Sequence, residues 1–372
     1  MSSTSSRAPL IDVVKGLACL LIVAHHLAFY GPMSDIAEPL APRLLAWLSS
    51  HGRMAVQVFL VLGGYLAAAS LAPQGVARFA SARQQVARRF ARLIVPYAVA
   101  LLVTVLVSTL VRPWLAHHSV PAEPDLAQLL ANALLLQDIL GYEALSAGVW
   151  YVAIDFQLFA LAVLLFAAVR AWAGRSARVD AARWGQAAIV AGVAASLLVF
   201  NRLPQLDVWA VYFWGAYGLG MMAFWAAHAP RVRPWLLMMV ALGVAALGVE
   251  FRPRIAVALA AALALAGAMR TPALRRWQGV PALNRIGQMS YSVFLLHFAV
   301  CLAVNAAVTT LWPDAPGWNA LGMLLAVLLS LAAGRLMYER IEKQSISWPA
   351  ILRWQAGLLG VGWLASFAGN FG

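Results

Sequence analysis

Several stretches of this chain run 18 or more residues with almost no charge, and nothing else in the sequence restricts the fold as tightly. Counting their shorter companions, apolar segments fall at roughly 10–30, 54–72, 93–112, 147–169, 186–201, 208–227, 235–250, 255–269, 288–310 and 319–337. A helix of about 20 residues rises about 30 Å, the thickness of a bilayer's hydrocarbon core. In that solvent every backbone N–H and C=O must be bonded within the protein, so such runs fold as helices, whereas a membrane β-barrel shows short alternating segments. Of the 372 residues, 63% are hydrophobic and 11% charged, where a soluble domain carries about 25% charged residues. The sequence predicts an all-α, polytopic membrane protein of about ten helices. A last apolar stretch, 354–369, is either an eleventh span or an interfacial helix. Residues 1–348 read as one membrane-embedded domain and 349–372 as that additional element.

Net charge is +13, but the arginines sit in short connections between spans. That pattern sets orientation and argues against nucleic acid as a partner; the expected surroundings are membrane lipids. With the N-terminus in the cytoplasm, nineteen basic residues fall inside, from Arg7 through Arg78, Arg83, Arg88, Arg89, Arg92 and Arg178 to Lys343. Six, among them Arg53, Arg112, Arg252 and Arg254, fall outside. The first apolar run is expected to be retained rather than cleaved as a signal peptide, because histidines interrupt it and many spans follow. Cys19 and Cys301 lie inside spans and offer neither a disulfide framework nor metal-ligand spacing, so no metal is expected.

The first span, "IDVVKGLACLLIVAHHLAFYGP", carries Asp12, Lys15, His25 and His26. From Lys15, His26 lies eleven residues on, about 16 Å deeper and only about 20° around the helix. His25 points about 80° from Lys15, and Asp12 about 60° the other way. One stripe thus joins a cation at the membrane surface to an imidazole near mid-depth. Lys15 can simply snorkel to the interface and the histidines can bond to neighbouring helices. Ionisable groups at mid-depth are costly, however, and mark functional sites, and a histidine is the natural proton acceptor at neutral pH. The arginines of "RFASARQQVARRFARLIVPY" have two readings as well, positive-inside charge or a phosphate site.

"DVVKGLACLLIVAHH" resembles the opening helix of the acyltransferase-3 family, integral membrane enzymes that acylate bacterial surface sugars and other hydroxylated acceptors. That family shows a basic residue, usually Arg, then ten residues, then His; Lys15 and His26 match the spacing. Lys in place of Arg keeps the charge and gives up the bidentate fork toward phosphate. "QVFLVLGGYL" is similar to the family's second-span motif, with Gly63 where Ser is usual; close helix packing is the plain reason for Gly63 and Gly64. "GVWYVAIDFQLF" matches at Trp150, Asp155 and Gln157, with Asp for the family's Glu. "IGQMSYSVFLLHFAV" matches at Ser290, Tyr291, Ser292 and His297, and "YERIEK" follows as the family's Glu-containing tail does. The motifs cover about 340 residues in the family's order.

The resemblance implies transfer of an acyl group, most often acetyl, from acyl-coenzyme A as co-substrate to a hydroxyl of a carbohydrate or lipid-linked glycan in the bacterial inner membrane, with no permanently bound cofactor. His26 is expected as general base or, in a two-step variant, as the acyl carrier. Asp155 is expected to orient it, and His297 is the second choice of base. Lys15, Arg83, Arg88, Arg89 and Arg92 are expected to hold the donor phosphates. Asp12, His25, Trp150, Gln157, Ser290 and Tyr291 are expected around the pocket. A buried Asp155 needs a partner such as His26 or Arg53. The competing class is a permease with an intramembrane His/Asp proton relay, against which stands the lack of paired repeats or interrupted half-helices in the sequence.

Overall fold

The computed structural model describes residues 8–175 and 180–368; Arg7 and Arg178 of the orientation argument lie outside the described residues. Eleven long helices follow one another: α1 Pro9–Phe29, α2 Pro42–Leu71, α3 Ala82–Val111, α4 Trp150–Ala173, α5 Ala181–Leu198, α6 Ala210–His228, α7 Arg233–Val249, α8 Pro253–Arg270, α9 Ser290–Leu311, α10 Pro316–Met337 and α11 Trp348–Ala368. No strand occurs among the described residues, and the chain is an all-α, polytopic membrane protein. Every apolar segment seen in the sequence is a helix. Eight of them are long and apolar enough to cross a membrane: α1–α5 and α8–α10. Trp, Tyr and Gly hold down the hydropathy of α6, a helix buried on nearly all sides, and α7 is a shorter apolar helix of 17 residues.

Two boundaries differ from the sequence reading. α2 begins at Pro42 rather than near 54, running through a 3-10 turn at Gly52–Met54. α3 begins at Ala82 rather than 93, so the arginine-rich stretch is its first three turns and not a loop. Ala, Gln and Arg are strong helix formers, and Ser81 Oγ accepts from the Gln84 amide at 3.3 Å; a hydropathy window overlooks a helical turn that is cationic. α7 and α8 are two helices, as the two apolar segments 235–250 and 255–269 imply. Arg252, buried between them, donates to Asn201 Oδ1 at 2.8 Å and to the Leu197 carbonyl at 2.7 Å.

The chain divides into two compact units. One holds residues up to 11, 56–90 and 153–279; the other holds 12–55, 91–152 and 280–372. In the first, α6 packs backbone to backbone on α2. A Cβ on Gly64 would lie 1.8 Å from the Tyr217 carbonyl oxygen, and one on Gly220 would lie 1.9 Å from that of Val61. In the second, a Cβ on Gly287 would lie 1.8 Å from the Asp12 carbonyl oxygen, and one on Gly334 would lie 2.3 Å from Val293 of α9. Helices in lipid gain little from apolar burial against one another, so close approach through small residues is what holds them together.

The two glycine contacts of α2 and α6 give the first test. Gly64→Val drives a side chain into a peptide that cannot yield, so it is expected to cost more than the roughly 1–3 kcal/mol of ordinary overpacking. Gly248→Val, with open space around its position, is expected to melt near the wild type. Thermal melts of detergent-purified protein followed by size-exclusion fluorescence read both.

Candidate functional site

The second unit brings together two histidines that are 271 residues apart in sequence. His26 comes from the last turn of α1 and His297 from the second turn of α9. Nδ1 of His26 lies 2.5 Å from Nε2 of His297, with the rings 7° from parallel and their centroids 4.8 Å apart. Both are buried, His297 completely. The other nitrogen of His297, Nδ1, lies 2.6 Å from the Phe294 carbonyl oxygen. A carbonyl oxygen only accepts, so Nδ1 of a neutral His297 carries the hydrogen and Nε2 offers a lone pair. The hydrogen between the rings then belongs to Nδ1 of His26, and its Nε2 is left as the proton acceptor.

Gly148 lies against the Cε1 atom of His26, the ring carbon between Nδ1 and Nε2. A Cβ on Gly148 would lie 3.2 Å from Cε1 of His26 and 3.1 Å from Cζ of Phe294, and the Gly148 backbone is left-handed, φ +80°. Only glycine meets both demands without strain. The start of α4 therefore lies beside His26. α1 itself ends three residues past His26, so that from Lys15 to Phe29 it rises about 21 Å. The chain continues through the short helix Met33–Ala37, where Met33, Ser34 and Ala37 are buried. Its first amide is satisfied by Asn305 Oδ1 at 3.0 Å, as non-helical backbone inside a membrane protein requires.

His25 faces elsewhere. Its Nδ1 lies 2.9 Å from the Leu48 carbonyl oxygen, and Gly52 packs against its Cβ, so it ties α1 to α2. Lys15 lies 3.9 Å from Asp12 Oδ1, and Gln288 Nε2 reaches Asp12 Oδ2 at 3.5 Å. Tyr291 donates to the Leu93 carbonyl at 2.9 Å. The Ser290 carbonyl oxygen accepts from Cys19 Sγ at 3.7 Å. Trp150 is half-buried, edge-on to Tyr151 at 6.3 Å. Arg92, also in this unit, is exposed.

In the first unit, Asp155 accepts a hydrogen bond from Arg89, whose guanidinium also lies over Phe159 at 5.2 Å. The buried carboxylate thus has a cation beside it, a different one from the two named in the sequence reading. Arg83 and Arg88 are exposed. Gln157 closes the start of α6: its Oε1 accepts from the Ala210 amide at 2.9 Å, and its Nε2 donates to the Val208 carbonyl at 3.1 Å.

Two residues at these sites were not singled out from sequence. Gly148 opens the quoted "GVWYVAIDFQLF", but a glycine beside an aromatic run looks like a helix start. Glu342 accepts from Ser292 Oγ at 2.6 Å, within electrostatic reach of Arg92 and Lys15. It sits in a π-helical turn, Tyr338–Glu342, a distortion that recurs at functional sites. Its signal was a carboxylate directly after an apolar span. Among the described residues no group of three His, Cys, Asp or Glu side chains is placed to hold a metal ion.

A family model described as an acyltransferase domain matches residues 9–335. Searches of curated proteins and of solved structures return no match.

Removing one partner of a shielded ion pair leaves the other uncompensated. Arg89→Met and Asp155→Leu are each expected to lower the melting temperature of the purified protein. The double variant is expected to recover part of the loss, a coupling that a double-mutant cycle measures.

Proposed function

Because the chain belongs to the acyltransferase-3 family, we propose that it moves an acyl group, acetyl in the simplest case, from acyl-coenzyme A to a hydroxyl of an envelope carbohydrate, with His26 as general base. The observation that carries this reading is the hydrogen-bonded chain from the Phe294 carbonyl through His297 to Nδ1 of His26. It leaves Nε2 of His26 as a lone pair at the edge bordered by Gly148.

In this reading Nε2 takes the proton of the acceptor hydroxyl while that oxygen bonds to the thioester carbonyl carbon. The carbon–sulfur bond then breaks, and the departing coenzyme A thiolate takes the proton from His26. The products are the ester and free coenzyme A, and His26 is returned neutral. As His26 becomes cationic, its Nδ1–H bond to His297 becomes charge-assisted and strengthens. His297 thereby fills the orienting role assigned above to Asp155, the role a carboxylate plays beside other catalytic imidazoles. Lys15 and Arg92 would meet the donor phosphates as point charge and fork, with Glu342 as their counter-ion while no donor is bound. Arg83 and Arg88, exposed at the start of α3, are further cations for the same donor, and Arg89 is held by Asp155. A cytoplasmic N-terminus in a bacterial inner membrane puts these cations on the side where acyl-coenzyme A is found.

Release of coenzyme A by the purified protein, given acetyl-coenzyme A and an extract of envelope glycans, tests the reaction; a protein that consumes no acetyl-coenzyme A would be a permease or another class. His26→Ala is expected to lose at least about 100-fold in kcat, the usual scale for a general base. His297→Phe, which keeps the ring and removes the acceptor of Nδ1–H, is expected to lose kcat at unchanged donor KM. An unaltered kcat in His297→Phe would remove His297 from the mechanism. Lys15→Ala is expected to raise the donor KM and leave Lys15→Arg near the wild type, since an interaction of equal strength in ground and transition states appears in KM.

A further inference from the structure

α11 lies beyond the family's matched domain, which ends at residue 335. One face of it is nevertheless built for docking. Ile351, Gln355, Leu358, Gly362 and Ala365 recur at intervals of four, three, four and three, which places them along one stripe of a helix. Ile351, Leu358 and Ala365 are buried, while Leu352 and Leu364 on other faces are 68% and 66% exposed. The stripe meets the short helix Leu126–Ala133 in the connection between α3 and α4. Gln355 Nε2 donates to the Ala133 carbonyl at 2.9 Å, and a Cβ on Gly362 would lie 2.5 Å from Leu129 Cδ2.

The docked helix is joined to the site by a continuous set of contacts within the second unit. Asn132, fully buried in that helix, donates to the Gln128 and Glu143 carbonyls at 3.0 and 3.1 Å. Its Oδ1 accepts from the Leu145 amide at 3.1 Å. Three residues later the chain reaches Gly148, against Cε1 of His26. The segment has no regular structure from Gly141 to Val149 and depends for its shape on these side-chain bonds.

We propose that α11 is a positioning helix for the acceptor: by clamping Leu126–Ala133 through Gln355 and Gly362, it fixes the segment that sets Gly148 against Cε1 of His26, and so fixes which hydroxyls reach the base. The role of His26 is that of the proposed function, on which this inference rests. Gln355 and Gly362 are positioning residues that touch no substrate. Donor binding is assigned to Lys15 and Arg92, on α1 and α3. α11 therefore separates two properties that a general loss of folding would destroy together.

The test uses full-length Gly362→Leu, Gln355→Ala, Leu364→Ala and the size swap Gly362→Leu with Leu129→Ala. Amide hydrogen exchange of purified protein is expected to quicken at least tenfold across 141–149 in Gly362→Leu and Gln355→Ala, to return toward the wild type in the swap, and to stay unchanged in Leu364→Ala. The Kd for acetyl-coenzyme A, by calorimetry, is expected to stay within twofold in all four. In cells carrying each variant in place of the wild type, acyl groups on envelope glycans, counted by mass spectrometry, are expected to fall at least tenfold in Gly362→Leu and to recover in the swap. Quickened exchange confined to 126–133 would overturn the proposal, as would full acylation in a variant whose 141–149 segment has loosened. If wild-type cells show no acylation that depends on this protein, the proposed function fails instead, and the exchange experiment still decides whether α11 holds Gly148.

Discussion

The carbonyl oxygen of Phe294 fixes where two buried histidines keep their hydrogens. Because it accepts and cannot donate, it dictates where His297 keeps its hydrogen, and His297 in turn dictates the same for His26. Two neutral rings shielded from water would otherwise be free to exchange tautomers, and a base whose lone pair pointed at its neighbour would be useless to a substrate. A backbone atom of α9 settles the matter without introducing a charge into hydrocarbon, where an isolated carboxylate would be costly. This explains how a membrane site can place a neutral imidazole where a soluble enzyme places an aspartate.

That arrangement demands that α1 and α9 stay in fixed register, and the glycines supply it. Gly287 lies against the Asp12 peptide just ahead of α9, and Gly16 lies against the Leu283 carbonyl. Both contacts are near the Lys15 end of α1, about 15 Å or more along the helix from His26. Backbone-to-backbone contact is stiff because no rotamer can absorb a shift. In the other unit, Gly64 and Gly220 do the same for α2 and α6, so each unit is held by a pair of peptides in direct contact.

Much of this was legible in the sequence, and the limits of what was legible have physical causes. Apolar length found every long helix, because hydrocarbon leaves the backbone no alternative. It misses the start of α3, because Ala82–Arg92 is helical by propensity while being cationic by composition. The 3.6-residue period placed His26 and Lys15 on one stripe and turned His25 away, and His25 bonds to Leu48 of α2. What periodicity within one helix cannot give is the identity of a partner from another. The pairing of His26 with His297, of Asp155 with Arg89 and of Ser292 with Glu342 joins residues 50 to 271 positions apart, and no local pattern encodes such distances. Gly148 escaped for the opposite reason: its importance lies in the side chain it lacks.

The length of α3 has a consequence for the surroundings of the protein. Its 30 residues extend about 45 Å, against a hydrocarbon core of about 30 Å. Arg83, Arg88 and Arg92 sit at the end that charge excludes from hydrocarbon, so they are carried on helical turns in the headgroup layer rather than on a loop. Phospholipid headgroups of negative charge therefore meet these guanidinium groups at a set height. A membrane richer in anionic lipid therefore holds more counter-charge against this end of α3.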